Sequence, residues 1–174
     1  QMSSGTNTIA IGLEAGFDNQ ANEAIAIGIR AGQTNQGLQT VAIGGGSGKE
    51  NQGQQAVAVG YGSGFYQQNA NTVAVGSLAG QQWQQSGAVA MGSQAGNTTQ
   101  GVNAVAVGSQ AGFTKQGSES IAIGYGPAYN GQGGSAIAIG TYTARISQSQ
   151  GGIAVGSNTA YQSQGQNAIA LGNQ

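Results

Sequence analysis

The 174-residue chain carries 34 glycines, one proline, four Lys and Arg against five Asp and Glu, and neither cysteine nor histidine. A net charge of −1 cannot neutralise a run of phosphates, so nucleic acid is excluded as an expected partner. The apolar runs, four or five residues long and broken by glycine, are too short for a membrane span, and the lack of cysteine fits any redox compartment.

The apolar residues recur on a fixed period. An aliphatic-Ala-aliphatic-Gly signature begins at Ile9, Ile25, Val41, Val57, Val73, Val89, Val105, Ile121, Ile137, Ile153 and Ile169, at intervals of sixteen residues without insertion or deletion. Disorder does not require such register, so the glycine-, glutamine- and serine-rich composition reads as an ordered repeat array rather than a low-complexity segment. With the first aliphatic as position 1, positions 16 to 3 alternate with period two around β-branched residues and predict a short strand in every repeat. Glycine at position 4 in all copies predicts a corner with positive φ or a close backbone approach. Small residues at positions 7 and 8, such as Ala15-Gly16 and Ala31-Gly32, and frequent glycine at position 13 (Gly37, Gly53, Gly101, Gly117, Gly133, Gly165) supply further corners. The expected fold is all-β: one single-stack parallel β-solenoid, or β-roll, across residues 1–174. Its sixteen-residue coils make about eleven rungs, and at the inter-strand spacing the rod is roughly 50 Å long.

Position 12 is glutamine in ten copies, Gln20, Gln36, Gln52, Gln68, Gln84, Gln100, Gln116, Gln132, Gln148 and Gln164, with Ser4 the exception. Stacked amides can hydrogen-bond up the rod, so these residues are expected to form a structural ladder; the alternative is a repeated polar contact to a ligand. Position 2 is always alanine: Ala10, Ala26, Ala42, Ala58, Ala74, Ala90, Ala106, Ala122, Ala138, Ala154 and Ala170. If the aliphatics at positions 1 and 3 fill the core, these alanines form a flat outer strip. Such a strip is an expected interface for lateral association with copies of the same chain, as a trimer or dimer. The competing reading is that alanine is merely small enough for a tight coil interior.

Five of the ten aromatic residues share position 9: Phe17, Phe65, Phe113, Tyr129 and Tyr161, four of them spaced by 48 residues. Exposed, they would form a ribbon able to stack on sugar rings or a receptor; folded down, they would cover a corner. Surface ion pairs are expected for Glu14 with Arg30, Lys49 with Glu50 and Lys115 with Glu119.

The strings AVAVGSQA, AIAIGIRA and SIAIGYGP resemble the head repeats of YadA-like trimeric autotransporter adhesins. That resemblance implies a left-handed parallel β-roll, three chains side by side, and display on a cell or virion surface for attachment. The departures are a repeat of sixteen residues where the family's is nearer fourteen or fifteen, and no neck, stalk or anchor.

Catalysis is not expected. No imidazole or thiolate is available, Glu14 and Asp18 are the only close carboxylates, and no aspartate recurs to bind calcium. The GGGSGKE stretch at Gly44 to Glu50 has the wrong spacing for a phosphate loop. No metal or cofactor is called for. The expected function is a structural module of an extracellular or virion-surface fibre, filament or adhesin. The alternative is a ligand-binding solenoid, taking a glycan or receptor on the aromatic ribbon or, with a regular threonine column, ice. That column is broken: Thr34, Thr98 and Thr114 share position 10 with Asp18, Glu50, Tyr66 and Ile146. No capping repeat is visible, and the chain opens at position 9 and closes at position 6. Stacking chain on chain would omit only positions 7 and 8, so a filament subunit or a fragment of a longer array is expected.

Overall fold

A computed structural model of the chain describes residues 5–173; Gln1, Ser4 and Gln174 lie outside them. The described residues form a parallel β-solenoid of about ten turns and contain no helix. Each turn contributes two three-residue strands. Positions 1 to 3 give the odd-numbered strands, from β1 (Ile9–Ile11) and β3 (Ile25–Ile27) to β21 (Ile169–Leu171), which form an eleven-stranded sheet. Positions 10 to 12 give the even-numbered strands, from β2 (Asp18–Gln20) to β20 (Gln162–Gln164), in a ten-stranded sheet. Every strand pairs in parallel with its equivalent sixteen residues away, Val89 with Val105 and Ala90 with Ala106, for instance. Constant repeat length is what permits this: one inserted residue would turn each following side chain to the opposite face.

The second sheet was not legible as a strand pattern, because its sequences, DNQ, TNQ, ENQ and YQQ among them, lack apolar alternation. Its middle residue adopts positive φ, as in Asn19 (58°), Asn35 (52°) and Asn51 (56°), and even in Trp83 (47°) and Thr99 (53°). The exposed asparagines among them form their own ladder, with Asn19 Nδ2 donating to Asn35 Oδ1 and Asn35 Nδ2 to Asn51 Oδ1, each at 3.0 Å. Asparagine tolerates this backbone better than most residues.

The facing of the first sheet is the reverse of the expected one. Ala26, Ala42, Ala58, Ala74, Ala90, Ala106, Ala122, Ala138 and Ala154 are fully buried in the core. In the same column Ala10 is exposed and Ala170 half-buried on the two end strands. The alanines are therefore core, not an outer strip, and the aliphatics at positions 1 and 3 point outward. The reason is thickness. The interior is shared with the glutamine side chains of the second sheet and with small residues at positions 7 and 8, such as Ala31, Ala79, Ala95 and Ala111, so only a methyl group fits at position 2. The core is mainly alanine and glutamine, with small polar residues such as Ser47, Ser63 and Thr143 in the position 7 column, and its largest fully buried side chains are Gln36, Gln52, Gln68, Gln84 and Gln100.

Glycine at position 4 answers two demands at once. Gly76 has φ of +127°, and a β-carbon there would lie 2.7 Å from the carbonyl carbon and oxygen of Gly92 in the next turn. Gly76→Ala is accordingly expected to destabilise the rod by about 1–3 kcal/mol in denaturant unfolding. Gly134→Ala, at a position where a β-carbon would meet only Ser118 O at 3.5 Å, should be close to neutral.

Candidate functional site

The glutamine column is the most ordered polar feature of the molecule. From Gln20 to Gln164 all ten side chains leave the second sheet, cross the interior, and donate Nε2 to the backbone carbonyl of position 1 in the same turn. The bonds run from Gln20 to Ile9 O at 3.2 Å, Gln84 to Val73 O at 2.9 Å and Gln100 to Val89 O at 2.7 Å, to Gln164 to Ile153 O at 2.8 Å. Most also reach the carbonyl at position 16, as Gln84 does to Ala88 O at 3.1 Å. The expected ladder is present but interrupted. Amide-to-amide bonds join Gln36 to Gln52, Gln68 to Gln84 to Gln100, and Gln132 to Gln148 to Gln164, at 2.9–3.3 Å. The buried Oε1 atoms of Gln36, Gln68, Gln116 and Gln132 have no hydrogen-bond partner. The invariant bond is thus side chain to backbone across the core, which sequence periodicity alone does not reveal. Only glutamine's reach, set against a column of alanines, hinted at it.

Two columns of aliphatic side chains stand outside the eleven-stranded sheet. They are half-buried by their own neighbours up the rod, yet Ile43, Met91, Ile123 and Ile139 remain 36–43% exposed. These columns, not the alanines, are the apolar surface running the length of the molecule.

The position 9 aromatics are brought into one column but do not present an open row of ring faces. Phe113 and Tyr129 stack on each other at 4.7 Å with their planes 4° apart. The Arg145 guanidinium occupies the next turn between Tyr129 (5.2 Å) and Tyr161 (5.7 Å) and donates to the Tyr161 hydroxyl at 2.7 Å. Tyr142 adds a third ring at 4.8 Å from it. Here an arginine takes the place of an aromatic ring, as cation–π attraction allows. Phe65 instead carries the Lys49 ammonium 4.7 Å above its ring, and Phe17 stands 49% exposed.

Of the expected ion pairs, Arg30 Nε meets Glu14 Oε2 at 2.9 Å and Lys49 Nζ meets Glu50 Oε1 at 3.4 Å. Lys115 and Glu119 do not pair; Ser135 Oγ donates to Glu119 instead. Glu50 holds the Tyr66 phenol above its ordinary range, first through a hydrogen bond and then through its charge. Tyr142 is raised chiefly by its hydrogen bond with Tyr125. Among the described residues no three carboxylates gather as a metal site would need, and no helix is long and apolar enough to cross a membrane. The chain matches no protein-family model and no curated protein sequence.

The core glutamines make a pH-dependent prediction. In Gln84→Glu the new carboxylate is buried among alanines, where desolvation raises its pKa above the unfolded value. Protonated, it is tolerated; ionised, it costs about 3 kcal/mol or more. The variant should be close to wild type in thermal unfolding below about pH 4 and lose stability progressively as pH rises from there, because the unfolded chain ionises first.

Proposed function

We propose that the chain is a structural, non-catalytic module of an extracellular or virion-surface fibre or adhesin, whose rods assemble laterally with copies of themselves. The observation that carries this reading is the pair of aliphatic columns outside the eleven-stranded sheet, in register from Ile9 to Leu171. At about 50 Å long and roughly 10 Å wide, the strip covers some ~500 Å², the upper range of apolar patch that a monomeric protein leaves in water. Its knobs repeat every ~4.8 Å along the rod, and the partner whose own spacing matches over the whole length is another copy of this rod. The glycine-cornered AVAVG and AIAIG strings, similar to those of YadA-like heads, favour three chains around one axis. The fold itself suits a mechanical role: every interior turn is pinned to two neighbours, and its side chains hold the register.

Sedimentation velocity of the purified chain tests this. A discrete oligomer is expected at micromolar concentration, and the triple variant Met91→Glu, Ile123→Glu, Ile139→Glu should sediment as a monomer with unchanged β-sheet circular dichroism. A monomeric wild type, or a variant that still assembles, would contradict lateral association through this face.

A further inference from the structure

Across the position 4 corner from the aliphatic columns, turns two to five enclose a groove of about 480 Å³, within the ~300–1,000 Å³ range of small-molecule sites. It exists because the side chains that would fill it are missing. Gly45 and Gly46 occupy positions 5 and 6 of one turn, and Gly62 occupies position 6 of the next. The Tyr61 ring leans on the gap, so that a β-carbon at Gly45 would lie 3.6 Å from its Cδ2, while Tyr61 as a whole remains 71% exposed. Phe65 lies beside Gly46, where a β-carbon would meet its Cε2 at 3.3 Å. Ile29 and Leu78 close the two ends, and Gln81 supplies an amide.

Two of the chain's four Lys and Arg, Arg30 and Lys49, line this groove, whereas the carboxylates paired with them, Glu14 and Glu50, do not. Arg30 uses Nε on Glu14, which leaves its terminal guanidinium nitrogens available, and the Lys49 ammonium rests on the Phe65 ring. A ligand that is apolar on one face, hydrogen-bonding at its rim and anionic at one end matches this lining. A sugar ring bearing a carboxylate has all three properties. Aromatic faces take its C–H side, an amide and a phenol take its hydroxyls, and cations take the acid.

We propose that this groove is a binding site for an acidic sugar of the uronic acid kind, with Tyr61 and Phe65 against the ring and Lys49 and Arg30 at the carboxylate. The site is independent of the lateral assembly face, and differs from the position 9 ribbon in using one aromatic of that column rather than the row. Isothermal titration of the full chain with a galacturonic acid trisaccharide tests it, with maltotriose as the neutral probe and decanoate as an acid without hydroxyls. Binding of the acidic trisaccharide alone is expected, weakened at least tenfold in Lys49→Met and in Tyr61→Ala. It should be unchanged in Tyr125→Ala, which alters the same repeat position four turns away; thermal unfolding of all three variants checks that the rod is intact. Equal binding of maltotriose, binding of decanoate in place of the sugar, no binding at all, or full binding by both groove variants would overturn the proposal.

Discussion

The structure depends on one hydrogen bond repeated ten times: a glutamine amide that crosses the interior and is accepted by the backbone carbonyl of the facing strand. Two sheets that share no large apolar side chains have little hydrophobic reason to stay together. Alanine methyl groups bury too little area, since burial stabilises by only about 25 cal/mol per Å². The glutamines supply the missing connection and fix the distance between the sheets. Their stems add apolar contact, and their amides meet carbonyls that would otherwise face a dry interior.

From that bridge the inverted facing of the first sheet follows. A core spanned by a single side chain has no space for opposed rows of valine and isoleucine, so the branched residues are displaced outward and an apolar surface is created where a globular protein would place polar residues. Thin core and sticky outer face are the same fact seen from two sides. It also explains why successive turns must be nearly identical. Each turn touches only its neighbours, and a departure in length or in the position 4 glycine is felt at once by the next backbone, 2.7 Å from where a β-carbon would stand at Gly76.

Much of this was legible from residues alone. The sixteen-residue period, the strand at Val105 to Val107 and the corner at Gly108 follow from pattern and side-chain chemistry, and the structure places each of them; the glutamine ladder expected up the rod is there only in segments, and Gln116 bonds to backbone carbonyls alone. Period-two alternation, however, says only that Ala106 and its aliphatic neighbours lie on opposite faces. It does not say which face is inside, and the usual preference for burying the larger residue pointed the wrong way. What settles the choice is a length match across the coil, glutamine on one sheet against alanine on the other, which the pattern of a single strand does not contain. The second sheet escaped notice for a related reason. Its strands are defined by pairing with identical neighbours, not by their own propensity, and a left-handed residue such as Lys115 (φ 53°) sits in the middle of each. The groove at Gly45, Gly46 and Gly62 was hidden too, because it arises from side chains absent in one turn and present in the next.

The account turns on the position 12 amides being inside the rod, and side-chain amide hydrogen exchange measures that directly. By nuclear magnetic resonance on the assigned chain, the Nε2 protons of Gln52, Gln84, Gln100 and Gln132 should exchange orders of magnitude more slowly than those of the exposed Gln54, Gln67 and Gln162. Exchange of the position 12 amides at the rate of these surface glutamines would place them in water, and with them would go the bridge between the sheets and the outward turn of the aliphatic columns.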